Sequence, residues 1–523
     1  MRGVIANCPA CAGPVEFKIS SALVTVCEFC RTVVARGDRK LEDYGKVAAI
    51  VQTDSPLELG LRGKYKGKRF DLVGRVQFQH EAGGVWDEWY AAFPSGKWGW
   101  LAESQGQFHL TFERDVAEDS KLPSLDELEA GKSFTLGKAG ELKVAEIGST
   151  RPLGAEGELP FALHPNEQHT YADLAGAGGA FGTFDFSTSP PTVYLGERVT
   201  LDDLGLADAV SHREATHISG QQVNCPNCGG ALDLVAPDKT QRVACPYCSS
   251  LLSADQGKLA YLKTLEQGMS HPVIPLGTVG TLFDVEYTVI GYMRRSVTFD
   301  MKYYWSEYLL YNPKIGFRWL IHSDRHWSFA EPISIGDVSV LAQALTADGK
   351  TYKLFQRATA SVEYVLGEFY WKVEVGEQVY ARDFVAPPHM ITLESSMPDP
   401  RDDDAQQRAA GEINVTRATY LTSEEVERAF GVENLGKGWT PAPNQPNPVD
   451  GGVFALWGLF ALLLLVLDFV FLSGVVKTKV DQGIFFWSLV FVSIVPIGAL
   501  IYRFSFEASR WKDSEFNPYA SSE

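Results

Sequence analysis

Apolar and polar residues alternate over short stretches through most of the chain, as in RFDLVGRVQFQ (69–79), EWYAAF (88–93), GWLAE (99–103) and FHLTFE (108–113). These runs are rich in Val, Tyr, Phe and Trp and are bounded by glycine, asparagine or proline turns. That is the pattern of antiparallel strands with one face in a core, closing into a sandwich or small barrel. Helical periodicity is scarce. TLDDLGLAD (200–208) and TSEEVERAF (422–430) each begin with threonine followed by acidic residues and predict short capped helices. Near the C-terminus the pattern changes: residues 453–476 and 484–502 are long apolar runs. At about 1.5 Å per residue each spans a hydrocarbon core of about 30 Å, and the short link KTKVDQG makes them a transmembrane helical hairpin. Pro496 predicts a kink in the second helix.

The pattern occurs twice. CPACAGPVEFKISSALVTVCEFC (8–30) returns as CPNCGGALDLVAPDKTQRVACPYC (225–248), and WDEWYAAFPSGKWGWL (86–101) aligns without a gap on WSEYLLYNPKIGFRWL (305–320). More weakly, GELPFAL (157–163) faces GEFYWKV (367–373), and YLGERVTLDDLGL (194–206) faces YLTSEEVERAFGV (420–432). Duplication of one unit therefore accounts for most of the protein. The expected architecture is mainly β: a ribbon at 1–40 and a β domain at 41–215, then a second ribbon at 216–260 and a second β domain at 261–432. A proline-rich linker at 433–452, the hairpin at 453–503 and a tail at 504–523 complete it. SSMPDPRDDDAQQRAAGE (395–412) reads as a polar insertion in the second copy, and GWTPAPNQPNPVD (438–450) as a semi-rigid spacer holding the body off the bilayer.

The formal net charge of −18 argues against a general attraction to phosphate backbones or anionic lipid. The densest basic patch, LRGKYKGKRF (61–70), reads as a solvated hairpin rim. All eight cysteines fall into Cys-x-x-Cys pairs in a long, cysteine-poor chain whose first residues lack the apolar stretch of a signal peptide. That usage fits a reducing cytoplasm.

Two facing Cys-x-x-Cys knuckles place four sulfurs at the corners of a tetrahedron, the geometry of structural zinc. Cys8, Cys11, Cys27 and Cys30 are expected on one ion, and Cys225, Cys228, Cys245 and Cys248 on another, giving two zinc ions per chain; iron in the same thiolate cage is the chemical alternative. A four-cysteine site has no open position for water, so its expected role is folding rather than catalysis. Zinc ribbons often bind nucleic acid. Here the ligand loops offer Lys18 in one ribbon and only Lys239 and Arg242 in the other, so no nucleic-acid partner is expected.

Trp86, Glu88 and Trp100 are matched by Trp305, Glu307 and Trp319 in the second copy. Read functionally, they form an aromatic cleft with a carboxylate for a cationic metabolite; read plainly, they are a β core with a satisfied glutamate at its edge. The histidine pairs His164/His169, His212/His217 and His322/His326 form no metal motif, and no nucleophile elbow, P-loop or dinucleotide fingerprint occurs in the right context. No enzyme activity is expected. Asp468 interrupts the first apolar run, where a carboxylate is costly; contact with a partner helix, a position near the interface and a proton relay all account for it.

The WDEWYAAF…GWL and VYLGERVTLDDLGL segments behind a four-cysteine ribbon resemble an uncharacterised bacterial family, domain of unknown function 4178, joined here to zinc ribbons and duplicated. The resemblance runs through both copies and leaves out the hairpin; the second copy departs from it at YLTSEEVERAFGV. It implies a membrane-associated protein linked to envelope or polyamine homeostasis, and it brings no catalytic residues. The resulting expectation is a tail-anchored scaffold or recruitment protein in the inner membrane. Its domains face the cytoplasm, where Lys437, Arg503, Arg510 and Lys512 outnumber Lys477 and Lys479 of the link. A ligand sensor for a cationic metabolite is the second class, and a zinc-ribbon nucleic-acid binder the third.

Overall fold

The computed structural model describes residues 4–517 apart from 20, 37–40, 49, 51–54, 81–83, 105, 116–121, 165–166, 212–220, 238, 256–257, 266–269, 396–410, 450 and 473–481. The expected insertion at 395–412 falls almost wholly outside the described residues, as do His212 and His217.

In the first copy, β1 (Val4–Asn7), β2 (Pro14–Phe17), β3 (Val24–Val26), β4 (Thr32–Arg36) and β5 (Leu41–Lys46) build the ribbon. β6 (Arg62–Tyr65), β7 (Lys68–His80), β8 (Val85–Ala92), β9 (Trp98–Ser104), β10 (Gln107–Arg114), β11 (Ser133–Thr135), β12 (Glu141–Leu159), β13 (His169–Gly176), β14 (Ala180–Asp185) and β15 (Thr192–Val199) follow, and α1 (Ala207–Ser211) ends the copy. The second ribbon comprises β16 (Gln221–Asn224), β17 (Ala231–Leu234), β18 (Arg242–Ala244), β19 (Ser250–Asp255) and β20 (Lys258–Thr264). Its β domain comprises β21 (Val279–Leu282), β22 (Val285–Thr298), β23 (Lys302–Asn312), β24 (Gly316–Ser323), β25 (His326–Pro332), β26 (Val338–Val340), β27 (Ala344–Ala347), β28 (Lys350–Phe369), β29 (Gln378–Ala386), β30 (His389–Ser395) and β31 (Ile413–Leu421). Three helices end the chain: α2 (Ser423–Phe430), α3 (Gly451–Leu472) and α4 (Gln482–Arg510).

Each β domain is an eight-stranded antiparallel barrel. In the first the order is β7-β8-β9-β10-β15-β14-β13-β12, closed by β12 pairing with β7; in the second it is β22-β23-β24-β25-β31-β30-β29-β28, closed by β28 on β22. The closing strands are the longest, at 19 and 20 residues, because each serves two sheets. Most of β12 lines the barrel, and its end, Glu158 and Leu159, pairs with Thr25 and Val24 of the first ribbon. In β28, Gly367, Glu368 and Phe369 pair with β18 of the second ribbon. The change of sheet falls at Gly157 (φ 76°) and Gly367 (φ 85°), paired with Gly74 and Gly291. A Cβ on Gly157 would come within 2.2 Å of the Val73 carbonyl, and one on Gly367 within 2.4 Å of Ile290 O, so a side chain fits at neither bend.

Side chains alternate in and out of the wall. Trp86, Glu88 and Tyr90 point inward: the Trp86 ring meets Tyr171 of β13, three strands away round the barrel, at 6.0 Å. Trp89 and Ala91 point outward into a core with Leu57, Phe70, Leu101, Leu110 and Leu204. The second barrel has a matching outer core around Tyr308, Trp327 and Phe329, covered by Val426 and Phe430 of α2. α2 starts as its sequence predicts, with Thr422 and Glu425 in a reciprocal capping box and Gly431 left-handed at its end. The corresponding segment of the first copy forms turns instead of a helix. Thr200 and Asp203 exchange the same reciprocal bonds, yet Gly205 turns left-handed (φ 61°) before a helical turn is completed, and α1 starts only at Ala207. The basic patch is the β6–β7 hairpin turning at Lys66-Gly67, both at positive φ.

The two barrels touch. The Ile147 amide donates to Gly411 O (2.7 Å), the Gly178 amide to Asp337 Oδ1 (3.0 Å), and Gly336 lies so close to Gly176 that a Cβ would sit 2.4 Å from its carbonyl oxygen.

At the C-terminal end one expectation is corrected. The proline-rich segment packs on the second barrel rather than standing free of it: Asn444 is buried against Ser328 (3.0 Å), and the ring of His326 meets Thr440 O at 2.7 Å. The tail after α4 docks on the same barrel, with Trp511 buried against Phe355 and Val385, the Glu515 amide on Phe355 O (2.9 Å) and an ion pair between Glu515 and Arg357. Buried polar and aromatic partners in the barrel wall explain both. Among the described residues one helix is long and apolar enough to cross a membrane, Phe486–Arg510 within α4, which contains Pro496; the apolar stretch of α3, Phe454–Leu467, is shorter. It stops beside Asp468, whose side chain, like residues 477–481 of the link, lies outside the described residues. The expected hairpin is thus matched in one span.

Candidate metal centres and barrel lumens

Each knuckle is a tight turn built by its own backbone. The Cys8 amide donates to Gly13 O (2.8 Å) and the Ala12 amide to Cys8 O (2.8 Å), with Ala12 at φ 61°; the Gly13 amide then points at Cys11 Sγ (3.4 Å). In the second ribbon Gly229 (φ 74°) takes the place of Ala12, and the Gly230 amide reaches Cys228 Sγ at 3.4 Å. The sulfurs of Cys8 and Cys30 stand 3.7 Å apart, as do those of Cys11 and Cys27; Cys225 and Cys248 stand 3.8 Å apart, and Cys228 and Cys245 3.9 Å. A disulfide needs about 2.05 Å. A tetrahedral ion with metal–sulfur bonds of about 2.3 Å sets sulfur–sulfur edges of about 3.8 Å. The eight thiols therefore form two clusters that could hold metal ions, with all ligand atoms of a cluster within 4.8 Å of one another.

The ribbons are latched to the barrels by a buried glutamate in each copy. Glu158 accepts the Lys18 and Ile19 amides (2.8 Å each). Glu368 accepts those of Val235 (2.6 Å) and Ala236 (3.2 Å) and the Thr240 hydroxyl (2.7 Å). Burial pushes both carboxyls up from their ordinary value. Neither residue was singled out by the sequence reading, although the repeated Gly-Glu of GELPFAL and GEFYWKV carried the signal.

A cavity of about 2930 Å³ is lined by inward residues of both barrels. In the first lumen Trp86 Nε1 donates to Glu88 Oε1 (2.9 Å), Trp100 meets Tyr194 edge-on (4.6 Å), and the Thr183 hydroxyl donates to Asp173 Oδ1 (2.7 Å). Asp185 and Glu146 line the same lumen, and His80 stands 3.3 Å from Glu146. Burial, with the charges of Asp173 and Asp185 adding to it, pushes Glu88 up to about 8. Burial and the neighbouring Glu146 push Asp173 up to about 7. The first lumen is thus an acidic chamber with aromatic walls.

The second lumen holds a guanidinium among its acids. Arg295 Nη1 reaches Glu307 Oε1 (3.2 Å) and, across the barrel, Glu394 Oε1 (2.8 Å); its guanidinium lies 5.6 Å from the Trp305 ring centre. Trp305 Nε1 donates to Glu307 (2.6 Å), as Trp86 does to Glu88, and Trp319 packs edge-on to Trp371 (5.5 Å). The sequence-predicted Trp and Glu residues therefore come together in the lumens. Asp173, Asp185 and Glu394 were missed, since their strands meet β8 and β23 only on barrel closure, and Arg295 was missed although it pairs with Trp305 in the β22–β23 hairpin. Of the remaining histidines, His164 stacks on Tyr44 (4.8 Å) and His322 on Trp327 (4.1 Å).

The profile of the family described as domain of unknown function (DUF4178) matches residues 58–201 and again 275–423, more than half of the chain. No curated protein and no solved structure matches.

Proposed function

Since the chain belongs to the DUF4178 family, whose function is unknown, membership transfers no activity to it, and we propose that it is a non-enzymatic, membrane-attached scaffold that recruits protein partners. The observation that carries this reading is the pair of closed four-sulfur clusters, each latched to a barrel by a buried glutamate. Zinc suits such a site: four thiolates satisfy its tetrahedral preference and leave no position for substrate. Cys8, Cys11, Cys27 and Cys30 hold one ion, and Cys225, Cys228, Cys245 and Cys248 the other. The metal supplies folding energy to segments too small to bury cores of their own. Support for attachment to the membrane comes from the apolar surface of α4, where Phe486, Trp487, Phe491, Ile494 and Val495 are exposed and need lipid around them. In this reading α3 and α4 both cross the inner membrane, the barrels face the cytoplasm, and Asp468 contacts a partner helix.

The test is metal withdrawal from the full-length protein in detergent. A chelator under reducing conditions is expected to open both ribbons to limited proteolysis before the barrels, with loss of partners captured in their presence. Ribbons that stay protease-resistant after the metal is gone would overturn the structural role.

A further inference from the structure

The two lumens are built alike and charged differently, and the strand register shows where they diverge. Trp86 pairs with Phe78 across β8–β7, and its counterpart Trp305 pairs with Arg295 across β23–β22. Phe78 thus takes the register position of Arg295, and its shorter, uncharged side chain brings no cation to the acids. Asp173 pairs with Thr183 and Asp383 with Thr392, and each threonine donates to its aspartate, at 2.7 and 2.6 Å. Two residues further along, Asp185 corresponds to Glu394. Glu146, opposite Asp173, corresponds to Gln356, opposite Asp383, whose amide donates to Asp383 Oδ2 (2.8 Å).

In the second barrel, then, the acids at these positions hold a cation belonging to the chain itself and receive a neutral donor. In the first barrel the same acids are kept, a further one replaces the glutamine, and the arginine is gone. Among the described residues no lysine or arginine lies within ion-pair distance of Glu88, Asp173 or Asp185. Glu88 is only 8% exposed, so its carboxylate ionises readily only when a cation, rather than water, stands against it. Trp86, Trp100, Tyr171 and Tyr194 present ring faces and edges around the acids, which suits a flat, weakly hydrated cation better than a metal ion.

We infer that the lumen of the first barrel binds a small organic cation with a guanidinium head. Glu88 and Asp185 take the head in the position that Arg295 occupies between Glu307 and Glu394, and Trp86 lies alongside it. The second barrel carries its own replacement for this ligand and stays closed to it. This site is independent of the scaffold reading: it can exist whether or not the protein recruits partners.

The probe is agmatine, a guanidinium and a primary ammonium joined by a butyl chain, titrated calorimetrically into the full-length, metal-loaded protein in detergent at about 0.15 M salt, where loose surface pairing is screened. Binding of one equivalent is expected. Glu88→Gln, close in shape to the native side chain, weakens it about tenfold or more. Phe78→Arg, which installs the second barrel's arginine in the first, abolishes it while metal content and melting temperature hold. Absence of heat and of any thermal shift in the native protein would overturn the inference. So would binding that both variants keep, which would put the probe on the acidic outer surface. Should Phe78→Arg fail to fold, Glu88→Gln decides alone, with its metal content as the check on folding.

Discussion

Glu158 and Glu368 show how much one side chain decides. Each is buried and each accepts backbone amides of the ribbon loop that follows β2 or β17, so removing the carboxylate strands donors as well as breaking bonds. Glu368→Ala is expected to cost about 3 kcal/mol, read as a lower urea midpoint at unchanged slope, and to loosen metal binding at the second cluster only. Acidity in the first lumen has a defined sign. Glu88 is raised by burial from the ordinary 4.5 to about 8, so the folded protein holds a proton that the unfolded chain releases. Its contribution to stability is present in full below pH 4.5 and is lost as pH rises through about 8. Asp173, Asp185, Glu146, His80, Tyr171 and Tyr194 face it from the other strands and Tyr90 flanks it on its own, and Asp173, raised to about 7, adds in the same direction. Melting temperature should therefore fall between pH 6.5 and 8.5, and Glu88→Gln should flatten that slope; a slope equal in both proteins would refute the assignment. The cysteine ligands were legible because spacing alone specifies a tetrahedron. The roles of Glu158 and Asp185 were not, because their partners lie far along the chain.

Among the elements, the long closing strands β12 and β28 carry the architecture. The sequence showed strand-like alternation and the repeat, yet left sandwich and barrel open, since closure depends on β12 returning to β7 and β28 to β22. Its trace is the Gly-Glu pair: the glycine bends the strand from barrel to ribbon and the glutamate fastens the ribbon there. Gly367→Ala places a side chain against Ile290 O in a left-handed backbone. It is expected to cost at least about 2 kcal/mol, measured by equilibrium unfolding, where a surface glycine such as Gly349 should cost less. Helix caps were only half legible. Thr-x-x-Glu opened α2, while Thr-x-x-Asp at 200–203 gave a turn, because the same reciprocal bonds close both and the following glycine decides.

At the scale of the molecule, the second barrel is the hub. It meets the first barrel at Gly336 and Gly176, receives the proline-rich segment at His326 and Asn444, and anchors the end of α4 through Trp511. The apolar runs were plain in the sequence. The docking of their flanks was hidden, since a proline-rich stretch reads as a spacer until its burial is seen. Trp511→Ala should free the tail and raise its proteolytic cleavage without releasing the protein from membranes, because the exposed apolar face of α4 is untouched. A soluble protein after alkaline carbonate washing would contradict membrane attachment. The central claim, two closed metal clusters that fold the ribbons onto the barrels, is tested most directly by elemental analysis of the full-length protein purified without added metal. The account predicts two equivalents of zinc per chain, falling to one when Cys8 and Cys11 are both changed to serine. A folded protein with no metal, or with iron in its place, would contradict it.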